Sequence, residues 1–244
     1  MVRVRLSVRF RLEAHAQLVV NFSHTHMDIK YIAHSTFQIK TKSATIVTDP
    51  FANSIGIKLP KLGADIVTLS HSHADHANSK AIELDPVVLD WPGEYEIKGT
   101  AVIGISTFHD ATNGSERGPN VAFKIVGDGI QLLHLGDLGH KLTDAQIAQI
   151  GTVDVLLIPV GGVYTIDPAL AAQVTKQIEP SIVIPMHFAD PKLDQKVYGE
   201  LHSDSEFMKL MGYPDVVSIP KLSIKSEDIS AIQNTKVVKL DQSL

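Results

Sequence analysis

Residues 69–79 read LSHSHADHANS, and His71, His73, Asp75 and His76 fall within six positions. The cluster directly follows the apolar run ADIVTL at 64–69, whose pattern is that of a buried strand. It therefore sits in a loop at a strand's C-terminal end, where open α/β folds usually carry functional groups. Four such side chains cannot share an apolar core without polar partners. His71 and His73, two residues apart, can turn both imidazoles to one side of an extended loop, while Asp75 and His76 face a second point. Two adjacent points of this kind are what a pair of metal ions requires. A solitary histidine is more often a solvated or structural residue, but that reading accounts poorly for H-x-H-x-D-H after a buried strand.

The rest of the chain narrows the chemistry. Its 244 residues are 44% hydrophobic with a formal net charge of −5, enough to bury a sizeable core. There is no cysteine, hence no disulfide framework, no thiolate metal site and no cysteine nucleophile. Any metal must be held by His, Asp or Glu. No apolar run reaches the length of a membrane span. The acidic balance argues against a nucleic-acid binder built on a large basic face. A cytoplasmic location is expected from the lack of a secretory signal pattern.

Residues 1–26 differ from the rest of the chain. They carry Arg3, Arg5, Arg9 and Arg11 in an alternating pattern, leaving 18 basic and 26 acidic residues beyond them. They are read as an N-terminal extension, with an added edge strand or a basic targeting arm as alternatives. A second methionine, Met27, opens the remainder, and residues 27–244 are read as one domain. Short β-branched runs predict strands at 29–33, 36–40, 44–49, 65–70, 86–90, 95–99, 100–107, 121–126, 129–136, 153–160 and 181–186. Helices are predicted over 142–151, with a Thr143/Gln146 capping box, and over 165–180, with Asp167 as N-cap and Pro168 at the first helical position. A third is predicted over 203–214, ending on Gly212 and Pro214. The segment from Ser203 is expected to supply a cap helix and an edge strand near 235–240. Many strands and few helices predict two packed sheets with helices outside them.

HSHADH resembles the H-x-H-x-D-H signature of the metallo-β-lactamase superfamily. That resemblance implies an α/β fold, the four-layer αβ/βα sandwich, and further ligands that each close a later strand. TAVIGISTFHD supplies His109, IQLLHLGDLGH supplies Asp137 and SIVIPMHFAD supplies His187. The resemblance then implies His71, His73 and His109 on one ion, Asp75, His76 and His187 on a second, and Asp137 bridging. It implies two divalent cations, zinc first, with Mn2+ or Fe2+ as alternatives, and hydrolysis by metal-bound hydroxide with Asp75 in the catalytic set. Flavo-diiron oxidoreductases of this fold replace the last histidine of the signature, whereas His76 is present here.

The strings YIAHSTFQI, VTDPF, WPGEYEIKG, RGPNVAFKI, HLGDLGH and IPVGGVYTID are similar to the UPF0173 and L-ascorbate-6-phosphate lactonase-like branch of zinc-dependent hydrolases. By that resemblance Asp49 orients ligand groups, as metal-bound imidazoles need from a carboxylate; the alternative is a turn aspartate before Pro50. His34 and His140 are candidates for orienting a ligand or giving a proton to the leaving group, against a purely structural hydrogen-bonding role. His134 is read as structural. Arg117, the one arginine beyond residue 11, is a candidate anchor for an anionic substrate or else an exposed loop charge. The leading reading is a hydrolase of a small molecule, an anionic one if Arg117 serves as anchor, at an ester, lactone, amide or phosphodiester bond. The competing readings are a nuclease or RNA-processing enzyme on the same metal core and a metal-binding scaffold without turnover. No membrane partner is expected, nucleic acid is disfavoured, and a homo-oligomer is left open.

Overall fold

The computed structural model describes residues 26–244; apart from His26, the segment read as an extension lies outside the described residues. In chain order the strands are β1 (Met27–Ala33), β2 (Thr36–Lys40), β3 (Thr45–Thr48), β4 (Leu62–Gly63), β5 (Ile66–Thr68), β6 (Ile82–Glu83), β7 (Val87–Leu89) and β8 (Gly93–Ile97). There follow β9 (Thr100–Phe108), β10 (Pro119–Gly127), β11 (Ile130–His134), β12 (Val155–Pro159), β13 (Ile182–Met186), β14 (Leu222–Ile224) and β15 (Lys236–Val237). The helices are α1 (Asp144–Ile150), α2 (Pro168–Ile178), α3 (Gln195–Tyr198), α4 (Asp204–Leu210) and α5 (Ser226–Ser230).

Two mixed sheets carry the fold. One has the order β14-β1-β2-β3-β5-β7, the other β15-β13-β12-β11-β10-β9-β8, and β4 pairs with β6 in a small separate ribbon. In each large sheet an antiparallel half gives way to a parallel half: at β3, which pairs with β5, and at β11, which pairs with β12. The period of two assigns the faces. Phe37, Ile39, Ile46 and Ile66 of the first sheet meet Phe123, Ile125, Leu132, Leu157 and Ile184 of the second in the inter-sheet core. Alternate residues Ala122, Leu133, Leu156 and Val183 point outward onto α1, α2 and α4 through Ile150, Val174 and Phe207. Each fully buried large side chain stabilises by roughly 1.5–3 kcal/mol.

The helix ends follow local chemistry. Thr143 and Gln146 form the reciprocal capping box of α1, and Asp167 accepts from the Leu170 amide at the start of α2, with proline at its first turn. The helix after Ser203, expected as a cap, instead packs on α2 and β13 as part of the outer layer. The anticipated edge strand is β15, two residues long, parallel to β13. The outer face of the first sheet departs from a helix-covered sandwich. Val47 and Val67 are covered by Phe51, Ile55, Ile57 and Leu59 from an irregular segment, together with Leu193, Tyr198 and Leu201 around α3. No helix among the described residues is long and apolar enough to cross a membrane.

Candidate metal centre

The strands of both sheets deliver their polar residues to one edge. β3 is followed by Asp49, β5 leads to His71, His73, Asp75 and His76, β9 to His109, β11 to Asp137, and β13 to His187. The turn between β1 and β2 adds His34. Asp49, His34 and His187 all hold left-handed backbone, with φ of 40°, 59° and 50°. That conformation is uncommon for non-glycine residues, and such strain concentrates at functional sites.

Asp137 lies at the centre. Its Oδ2 is 3.3 Å from Nε2 of each of His76, His109 and His187, and 4.0 Å from Nε2 of His71. The His71 ring stands 4.7 Å from both His73 and His109, so these three form one group. Asp75, His76, His187 and His34 form another. All seven ligands anticipated from the strand ends are thus brought together. The Asp137 amide donates to Asn120 Oδ1 at 2.9 Å, while Asn120 Nδ2 donates to the Leu135 carbonyl at 2.9 Å, which fixes the turn that presents Asp137. Gly136, at φ 56°, is required there: a Cβ would stand 2.4 Å from both Asn120 Oδ1 and Ser70 Cβ.

Asp49 is fully buried and organises the histidine loop. It accepts from the Ser70 amide at 2.7 Å, the Ser70 hydroxyl at 2.6 Å and His76 Nδ1 at 3.0 Å. Since the Ser70 hydroxyl is spent on Asp49, its oxygen accepts from His71 Nδ1 at 2.9 Å. Both imidazoles therefore carry a proton on Nδ1 and turn Nε2 toward Asp137, which leaves Nε2 as the atom that can ligate. Those Nε2 atoms, Nε2 of His187 and Oδ1 of Asp137 are buried without a hydrogen-bond partner. Burying unpaired polar atoms is costly, and imidazole nitrogens gathered around a buried carboxylate in this way form a donor set that fits a cation. Imidazole and carboxylate without thiolate suit zinc, with manganese and iron next. The residues fit the metal pair that the signature implies.

Electrostatics prepares the same donors. Burial, reinforced by His76, lowers the His71 pKa to about 3; burial, with His187, lowers His34 to about 4. Both are neutral at pH 7, which leaves the Nε2 lone pair of His71 available for metal and lets His34 act as a neutral donor to Asp75. Burial would lower His76 as well, but Asp137 and Asp49 on either side outweigh it and raise its pKa well above the ordinary value, so ligation by His76 would release a proton from Nε2. Burial would raise the carboxyl of Asp137, but His187 and His76 hold it well below the carboxylate range. Asp75 is likewise lowered, the hydrogen bond from His34 and the charge of His76 overcoming burial.

The remaining candidates take distinct positions. His34 is buried, its Nε2 3.3 Å from Asp75 Oδ2. His140 lies behind His109: Nε2 accepts from the Phe108 amide at 3.1 Å and Nδ1 donates to the Lys141 carbonyl at 2.8 Å, so both nitrogens are engaged by backbone. His134 is buried with both nitrogens bonded, to the Ser35 carbonyl and the Gly136 amide. Arg117 lines an open cleft of about 620 Å3 together with His73, Asp75, His109, Tyr164 and Tyr198. One guanidinium nitrogen donates to the Val163 carbonyl at 3.1 Å, and the group lies 5.8 Å from the Tyr164 ring centre. Sequence reasoning passed over the groups that shape this cleft. Asp110 accepts from the amides of Thr112, Gly114, Glu116 and Arg117, tying down the loop that carries Arg117. An aspartate followed by a run of turn formers, as in HDATNGSERG, was the available signal. Tyr198, whose hydroxyl donates to Asp75 at 3.1 Å, gave none.

The family model of the β-lactamase superfamily domain matches residues 28–187, a span that begins in β1 and ends on the last anticipated ligand. The chain belongs to the metallo-β-lactamase superfamily. Within that superfamily it is similar to a UPF0173 metal-dependent hydrolase of Salinibacter ruber, 30% identical over 66% of this chain and 84% of the relative. A second UPF0173 metal-dependent hydrolase, from Lysinibacillus sphaericus, is 27% identical over 74% of this chain and 94% of its own length. Among solved structures it resembles a Thermotoga maritima protein provisionally described as a Zn-dependent hydrolase of the metallo-β-lactamase superfamily. That likeness has a TM-score of 0.73 at 34% identity, over 89% of this chain and all of the other. The metallo-β-lactamase fold, with its two-sheet α/β sandwich, and a metal-dependent hydrolase activity are thereby assigned to this chain.

Proposed function

We propose that this hydrolase uses a dinuclear centre, with zinc as the ion its donors suit best, and cleaves a small anionic molecule. The observation that carries the reading is the placement of Asp137 Oδ2 within 3.3 Å of three imidazole nitrogens drawn from both ligand groups. His71, His73 and His109 would hold one ion, Asp75, His76 and His187 the other, with Asp137 shared. When bound, two divalent ions acidify water enough for attack at neutral pH and polarise the oxygen of the scissile bond. The chain's own residues do the rest. Asp49 and Ser70 keep the lone pairs of His76 and His71 on Nε2. His140 holds the backbone at Phe108, and with it the neighbouring His109. Arg117 offers its unspent guanidinium donors to an anionic group in the cleft, in a fork geometry suited to carboxylate or phosphate.

The bond cleaved would be an ester, lactone, amide or phosphodiester, all of which present an oxygen for polarisation. The test is to strip the protein with chelator, restore it with Zn2+, Mn2+ or Fe2+, and assay chromogenic esters, lactones and phosphodiesters. Metal-dependent turnover of at least one class is expected; a fully loaded protein inert on every class would favour the scaffold reading.

Arg117→Ala is expected to raise KM for bis(p-nitrophenyl) phosphate roughly 10- to 100-fold, as loss of a charge-assisted hydrogen bond would. KM for a neutral ester such as p-nitrophenyl acetate should stay unchanged. Equal changes for both substrates, or none for either, would remove Arg117 from substrate binding.

A further inference from the structure

Two residues outside the ligand set grip one of its carboxylates at the same atom. The Tyr198 hydroxyl donates to Asp75 Oδ2 at 3.1 Å, and His34 Nε2 approaches the same oxygen at 3.3 Å. An ionised carboxylate only accepts, so both partners are donors. Oδ2 is then engaged twice by the protein, and the same oxygen lies 3.7 Å from His76 Nε2, so the two donors hold the carboxylate against the ligand group.

Both donors are themselves fixed. His34 is 2% exposed, and its ring lies 4.1 Å from that of His187 and 5.0 Å from that of His76. Its carbonyl accepts from the His187 amide at 2.9 Å, so the turn carrying His34 is tied to the one carrying His187. Tyr198 closes α3, is 7% exposed, and presents its ring edge to His34 at 5.3 Å. Asp75, by contrast, sits on the histidine loop with its side chain 23% exposed to the cleft. An unrestrained carboxylate there would lose rotamer freedom on ligation, and prior fixation removes that cost. The other group, His71, His73 and His109, has no carboxylate of its own beyond the shared Asp137, and neither Tyr198 nor His34 is hydrogen-bonded to Asp137.

We infer that Tyr198 and His34 are positioning residues that lock Asp75 in its ligating orientation. They thereby set the metal affinity of the His76–His187 half independently of the His71–His73–His109 half. The inference rests on the dinuclear reading above.

The experiment titrates the metal-free, full-length chain with Zn2+ against a chromophoric chelator, and separately with Co2+ followed by its visible absorption. Wild type, Tyr198→Phe and His34→Asn are compared. Phenylalanine removes only the hydroxyl from a ring that still packs, and asparagine tolerates the left-handed backbone at residue 34. In both variants one binding step should be unchanged and the other lowered roughly 10- to 100-fold, as when partners of metal ligands are lost. If His34→Asn does not fold, Tyr198→Phe decides alone. Two unchanged steps in Tyr198→Phe would overturn the inference, and so would two steps weakened equally, which is the mark of a general structural role. A wild type that takes up fewer than two equivalents would overturn the dinuclear reading itself, and the inference with it.

Discussion

Replacing Asp49 with alanine is expected to cost about 3–5 kcal/mol of folding stability, the range for removing one partner from a buried charged network. For a chain of this size that lowers Tm by roughly 6–20 °C. Three donors lose their acceptor at once: the Ser70 amide, the Ser70 hydroxyl and His76 Nδ1. The backbone at residue 49 is left-handed, with φ 40°, which alanine also resists. Asp49→Asn separates the two effects. Asparagine accepts the strained backbone and can still receive one amide, so the stability loss should be smaller. Its NH2 group facing His76 Nδ1 would, however, drive the ring proton to Nε2 and take away the lone pair a metal needs. The asparagine variant should therefore melt closer to wild type while binding one metal equivalent fewer. Thermal unfolding together with zinc stoichiometry checks both arms. A wild-type melt and full metal loading in Asp49→Asn would show that the carboxylate does not govern the His76 tautomer.

Gly139→Ala should be comparably disruptive for a steric reason. A Cβ at this position would lie 2.3 Å from the Asp110 amide nitrogen and 2.4 Å from the His109 carbonyl carbon. Both are backbone atoms, so no side chain can rotate away. The Gly139 amide is also bound to the Phe108 carbonyl at 2.9 Å, which pins the two segments in register. The strain must move His109, a ligand, together with Asp110, which ties down the Arg117 loop. Overpacking of this kind costs about 1–3 kcal/mol, or roughly 2–12 °C in Tm. Metal affinity at the His71–His73–His109 group should fall with it. Differential scanning calorimetry of the metal-free and zinc-loaded variant reads both, and a wild-type Tm in each state would mean that the loops separate more easily than their contacts indicate.

What the sequence made readable was whatever a strand carries to its end. His109, Asp137 and His187 each follow a strong β-branched run, and it was the resemblance carried by HSHADH that singled them out and implied that they meet at one edge of the sandwich. Asp49 also closes a strand, and the resemblance of VTDPF is what paired it with that edge. The same logic could not reach Tyr198: it lies on a four-residue helix and touches Asp75 across 123 positions, a contact that no local pattern encodes. The positions of His34 and His140 were ambiguous for a related reason. Whether a histidine faces the cleft or spends both nitrogens on backbone turns on distant partners: His34 meets Asp75 across 41 positions, and one of the two partners of His140, the Phe108 amide, lies 32 positions away. The two-residue strands β4, β6 and β15 are too short to show a period. The outer cover of the first sheet is a non-repetitive run of apolar residues between 51 and 62, which gives neither a helical nor a strand pattern.

The central claim is that Asp137 joins two metal ions in one centre. The most direct measurement is metal content by inductively coupled plasma mass spectrometry, on wild type and Asp137→Ala purified without added metal. About two equivalents per chain are expected in wild type and a clear loss in the variant, with far-UV circular dichroism showing that both are folded. A folded wild type carrying no metal, or an Asp137→Ala protein that keeps both equivalents, would contradict it.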